Sequence, residues 1–143
     1  MQAFPVRCKQ EGGGGLRGGH LLLGWKLLSQ LRATVNNSGL HGEPTKQMLN
    51  YIWGSSVLAP EDIKVIAHMI MSQSEQLLWQ AHWQRLCEIS SNTPRAEGNP
   101  LFGITVQQLM GLGQFATLDM QVHLGHDVCL EGMRTARQAL EMV

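Results

Sequence analysis

LAPEDIKVIAHMIMSQSEQLLWQAHWQRLCE, running from Leu58 to Glu88, reads as two helices with almost nothing between them. Pro60 suits a first helical position, where its missing N–H costs no bond. Ile63, Ile66, Ala67 and Ile70 then recur on one helical side. Ser72 and Glu75 stand at capping-box spacing, in which hydroxyl and carboxylate each satisfy a backbone N–H of the other, so a new helix begins there. Its inner face is expected to include Leu78, Trp79, Trp83 and Leu86. Trp79 and Trp83 lie four residues apart, so they stand one above the other on one face.

The same texture continues outward on both sides. Upstream, Leu27, Leu28, Leu31 and Val35 form a helix face that ends at the NNSG stretch, with Gly39 suited to a left-handed closing residue. Pro44 opens a second helix carrying Met48, Leu49, Ile52 and Trp53, and GSS ends it. Downstream, residues 90–103 (SSNTPRAEGNPLFG) read as a long polar loop. Thr105 and Gln108 repeat the capping-box spacing before the short LMGLG helix, and QFATLDMQVHL suits another. A last helix over 127–142 carries Cys129, Met133, Ala136 and Leu140, with Arg134 and Arg137 toward the end where cations suit the helix dipole. The expected fold is all-α, a compact bundle of about seven helices over residues 24–143, preceded by a flexible glycine-rich segment over 1–23.

Composition narrows the function. The 143 residues are 43% hydrophobic and 15% charged, enough for one globular core. Eleven basic and 11 acidic residues cancel, which argues against sequence-specific nucleic-acid binding. No apolar run approaches the ~20 residues of a membrane span. The opening MQAFPVRCKQE lacks the apolar stretch of a secretory signal. Cys8, Cys87 and Cys129 are odd in number and far apart, which fits reduced thiols inside a cell.

Each candidate for chemistry meets a plainer reading. The run EGGGGLRGGH, Glu11 to His20, has no lysine after its last glycine and no apolar strand before it, so it reads as slack chain and not as a phosphate cradle. His123, His126 and Cys129 have zinc-compatible types and helical spacing but no evident fourth ligand. Cys87 and His82 are five residues apart, poor alignment for a nucleophile and its base, and Cys87 is expected in the core. No catalytic residue, metal or cofactor is expected, and the reading is a binding or assembly module.

The Leu58–Glu88 string resembles the N-terminal domain of retroviral capsid proteins. That family reads as Pro, one residue, Asp, an apolar helix, a short polar joint, then an LLW-type helix with a second Trp. Pro60, Asp62, Leu77, Leu78, Trp79 and Trp83 hold those places. ITVQQLMGLGQFATLDMQVHL, with CLEGMRTARQAL after it, looks like the betaretroviral version and its DQLLGIGQ-type motif. The resemblance spans about Gly24 to Leu140 and is nearest to betaretrovirus-like endogenous elements, with alpharetroviral capsids also similar.

The resemblance implies a structural Gag protein, located in the virion capsid and the host cytoplasm. Six or five copies form a ring around the first three helices, and rings tile a shell. The implied ring-interface candidates are Lys26, Gln30, Thr34, Lys46, Gln47, Asn50, Lys64 and His68, taken as outward-facing. Family capsids are cleaved to expose an N-terminal proline, which folds back as a β-hairpin and pairs with a buried Asp. Pro5 and Asp62 occupy those places. With Met1–Phe4 still attached, Pro5 has no charge to offer, so no hairpin is expected and Asp62 is expected exposed or otherwise bonded. Asp62 equally suits a plain helix-start acid. The glycine run departs from the family where the second hairpin strand should stand. Arg17 and Lys26 are candidates for a polyanion at the ring pore. In the 90–103 loop, Thr93, Pro94, Arg95, Gly98, Asn99 and Pro100 are host-factor candidates on an exposed, mobile segment. The family's second capsid domain is absent from this sequence, so the chain alone is expected to associate only weakly and not to close a shell. The alternative is a host-co-opted capsid domain acting as an antiviral or regulatory binding module.

Overall fold

The computed structural model describes the backbone of Lys9–Gln10 and Leu16–Arg17, and residues 24–121 and 123–143. Among the described residues seven α-helices follow one another: α1 (Gly24–Ser38), α2 (Glu43–Ser55), α3 (Pro60–Ile70), α4 (Gln73–Asn92), α5 (Val106–Met110), α6 (Leu118–Gln121) and α7 (His126–Glu141). A single 3-10 turn, Gly113–Phe115, joins α5 to α6. Over the described residues from Gly24 onward the fold is all-helical, as the periodicity requires.

Local chemistry explains the boundaries. Gly39 takes a φ of +82° after α1, and its N–H donates to the Val35 carbonyl at 2.7 Å, closing that helix. Thr45 is fully buried in the next turn and donates back to the Gly39 carbonyl at 2.8 Å, which fixes the α1–α2 corner. Both capping boxes form: Ser72 with Glu75 at the start of α4, and Thr105 with Gln108 at the start of α5.

The core sits where α4 crosses α7. Trp79 and Trp83 are buried and stacked, with ring centroids 4.8 Å apart and planes 25° apart. Their indole N–H groups donate to α7, Trp79 to the Ala136 carbonyl and Trp83 to the Thr135 hydroxyl, each at 3.1 Å. Trp53, on α2, donates to the Met133 carbonyl at 2.8 Å. Three large apolar side chains therefore also pin α2 and α4 to one helix by directed bonds. Leu28, Leu31, Leu49, Ile52, Ile63, Ile66, Cys87, Leu109, Met133 and Ala136 fill the space around them.

Three expectations need correction. Leu78 is not on the inner face; it is 53% exposed, and its neighbour Leu77 is 65% exposed. The buried stripe of α4 is Trp79, Trp83, Cys87 and Ser90, and Leu78 lies about 100° around the helix from Trp79. The polar loop starts later than expected, because α4 continues to Asn92. Finally, the strands Lys9–Gln10 and Leu16–Arg17 pair antiparallel across the glycine run, with Lys9 opposite Arg17 and Gln10 opposite Leu16. A two-residue ladder needs only backbone groups, so it forms without the free proline the resemblance called for. Pro5 lies outside the described residues.

Candidate functional site

The faces of α1, α2 and α3 that look away from the core hold the ring-interface candidates, and the structure divides them. Lys26 and Gln30 on α1 are exposed one turn apart, as are Lys46, Gln47 and Asn50 on α2 and His68 on α3. Thr34 and Lys64 are not outward-facing. Thr34 is half-buried, donates to the Gln30 carbonyl at 2.8 Å and lies 3.2 Å from the Met48 sulfur. Lys64 is half-buried with Nζ 3.5 Å from the Gly111 carbonyl, and burial lowers its pKa, partly offset by Glu61. Asn50 also reaches α7, accepting from Arg137 Nη2 at 3.5 Å.

Two aromatic residues on this surface escaped sequence reasoning. Trp25 is 40% exposed and Tyr51 is 64% exposed. Tyr51 falls outside the Met48–Leu49–Ile52 stripe, so a helical projection of α2 carries the signal. For Trp25 the position at the start of α1 carries no such signal.

Asp62 is buried at 7% exposure in the first turn of α3 and is engaged within the chain. The N-cap of α3, Ala59, has no side-chain acceptor. That role falls to Gln121, which is fully buried and accepts from the Glu61 N–H at 2.9 Å while its amide donates to the Phe115 carbonyl at 2.9 Å. Gly111 makes room for it. At φ +66°, a Cβ on residue 111 would stand 2.5 Å from Gln121 Nε2 and 2.9 Å from the Pro60 Cβ. Residues 60 apart in sequence thus set the start of α3, the turn that carries Asp62. No local spacing announces this arrangement.

The loop after α4 is tied down at its base. Ser90 donates to Glu131 Oε2 at 2.5 Å, and Arg134 forks onto both Glu131 oxygens at 2.8 Å. Arg95 donates to the Ser90 carbonyl at 2.6 Å and to its hydroxyl at 3.0 Å. The Arg134 hydrogen bonds hold the Glu131 carboxyl below its usual range, against the opposing effect of burial, with Ser90 and Arg95 assisting. Arg95 is therefore a structural anchor, not a free loop cation, which corrects its placement among host-factor candidates. Thr93, Pro94, Gly98, Asn99 and Pro100 are exposed. Successive turns order the segment: Asn99 N–H to Ala96 O, Phe102 N–H to Asn99 O, and Leu101 N–H to Asn99 Oδ1 at 2.8 Å.

The cysteine and histidine candidates do not converge. Cys129 packs with Ala59 and Leu124, while His123 and His126 are exposed. Among the described residues no three His, Cys, Asp or Glu side chains are grouped as a metal would need. Burial pushes the Cys87 thiol up to about 11, and it sits 3.6 Å from the Thr135 hydroxyl. Of Arg17 only the backbone, in the strand pair, is described. No described helix is long and apolar enough to cross a membrane.

The family model described as gag protein p24 N-terminal domain matches residues 20–143. That span takes in all seven helices. Among curated proteins no match is found.

Proposed function

The chain belongs to the gag protein p24 N-terminal-domain family and has the structural capsid role of that family, and from that premise we propose that it assembles into six- or five-membered rings through α1, α2 and α3. The family match over residues 20–143 carries the proposal. The exposed polar stripes of Lys26 and Gln30, and of Lys46, Gln47 and Asn50, support it as contact surfaces. Trp25 and Tyr51 add exposed aromatic area to the same helices. Each contact is small, so the isolated domain associates weakly and rings form at high concentration. Lys26 and Arg17 are the basic groups offered to a polyanion at the ring centre. The lattice is that of a betaretrovirus-like capsid.

The proposal extends to the N-terminus. Cleavage before Pro5 creates a cationic imino group, and the buried Asp62 carboxylate is its counter-charge. Asp62 is already engaged in the intact chain, so the new terminus must compete for it.

Sedimentation and electron microscopy of this chain, beside a version beginning at Pro5, test both parts. Concentration is raised with and without inositol hexakisphosphate as the polyanion. Rings from the Pro5 version alone are the expected outcome. Monomers from both at every concentration overturn ring assembly by this domain and favour the host-co-opted binding module.

A further inference from the structure

Thr93-Pro94 is the single place in the chain where a hydroxyl residue precedes proline. It stands where α4 stops. Thr93 is the C-cap, with extended backbone at φ −73° and ψ 125°, and its N–H donates to the Ser90 carbonyl. Residues 94–96 continue without helix or turn, and Asn92, Thr93 and Pro94 are all exposed. The Thr93 hydroxyl donates to the Ile89 carbonyl at 2.8 Å, at the surface. A protein kinase takes its acceptor hydroxyl from an exposed, extended segment, and a proline after that hydroxyl has no N–H to leave unpaired in the cleft. Only the last residues of α4 need to open for Thr93 to enter one, and helix ends open at little cost. The surroundings would feel a charge placed there. α4 is 20 residues long with no basic residue in its last turn. Arg95, two residues beyond Thr93, serves this end instead. Its side chain is 13% exposed, donates to the Ser90 carbonyl at 2.6 Å and hydroxyl at 3.0 Å, and pairs with Glu131 at 3.9 Å.

We propose that Thr93 is a phosphorylation site for a proline-directed protein kinase and that its phosphate draws Arg95 away from Ser90 and Glu131, loosening the segment after α4. The Thr93 hydroxyl oxygen attacks the γ-phosphorus of ATP. The new O–P bond forms as the bond to ADP breaks, and the hydroxyl proton passes to the catalytic base of the kinase. The product has lost the hydroxyl bond to Ile89. It carries close to two negative charges at the C-terminal end of α4, where the helix dipole opposes them. Arg95 forks onto this phosphate in preference to a carboxylate it meets only at 3.9 Å. Glu131 keeps both bonds from Arg134, while Ser90 loses Arg95. The inference does not depend on ring assembly.

The test treats the folded chain with ATP and a cyclin-dependent kinase, and maps the product by peptide mass spectrometry. One phosphate on Thr93 is expected, with none there in Thr93→Val and incorporation at least about 100-fold slower in Pro94→Ala. Both positions are exposed, so both variants keep the fold. Amide exchange at residues 96–102 should rise at least about fivefold on phosphorylation while tryptophan fluorescence stays unchanged. Phosphorus-31 titration reads the pairing itself, because a phosphate held by Arg95 loses its second proton at lower pH than the same phosphate in Arg95→Gln. No phosphate on the folded chain, phosphate only at other residues, indifference to Pro94→Ala, unchanged exchange, or equal titration midpoints each overturn the proposal.

Discussion

Gln121 shows what one buried side chain does in this fold. Its carbonyl caps α3 and its amide holds the turn before α6, while Gly111 leaves the space it occupies. Truncation strands the Glu61 N–H and the Phe115 carbonyl. Gln121→Ala is therefore expected to destabilise the domain by about 1–3 kcal/mol in urea unfolding. A cost under about 0.5 kcal/mol would show that water replaces both bonds. Cys87 makes the opposite point, since burial raises its thiol to about 11 and removes its reactivity. Iodoacetamide at pH 8, read by peptide mass spectrometry, should leave Cys87 unmodified until denaturant is added. Rapid labelling of the native chain contradicts the packing described here.

At the scale of elements, α7 is the strut. Trp53, Trp79 and Trp83 donate to it from two other helices, and Glu131 gathers Ser90 and Arg134 by hydrogen bonds and Arg95 as an ion pair at 3.9 Å. The sign of the Glu131 effect is definite. Its folded pKa lies below the ordinary 4.5, so its stabilisation is complete above that value and is lost as pH falls through the folded one. The segment after α4 should therefore loosen in acid while the Trp79–Trp83 stack persists. Amide exchange at residues 96–102, compared with tryptophan fluorescence, reads the two separately. Glu131→Gln should shift this loosening so that it is present at neutral pH. If exchange in the segment stays unchanged in the variant, the Glu131 cluster does not anchor it.

At the scale of the molecule, the core and the proposed assembly surface are separable. Lys26 and Lys46 are exposed, so reversing both charges touches little that holds the monomer together. The variant Lys26→Glu with Lys46→Glu should keep its stability within about 0.5 kcal/mol and lose ring formation in the Pro5 version. Rings that persist place the contacts elsewhere, with Trp25 and Tyr51 the next positions to change. Loss of stability instead would mean that these lysines serve the fold.

The seven helices and most core positions were legible in the chain because periodicity, prolines, glycines and capping boxes act over three or four residues. Ser72 with Glu75 and Thr105 with Gln108 form the caps their spacing announces. The family was legible too, because its pattern of Pro60, Asp62, Trp79 and Trp83 serves those same helices. What tertiary structure alone decided lies at longer range. Leu78 turned outward because the position of α7 selects which α4 stripe is covered. Lys64 was drawn in beside Gly111, and Arg95 beside Ser90. Gln121 capped a helix 60 residues away. Helical periodicity says that a face will be buried, but only packing in three dimensions decides which partner buries it and which polar atoms meet there.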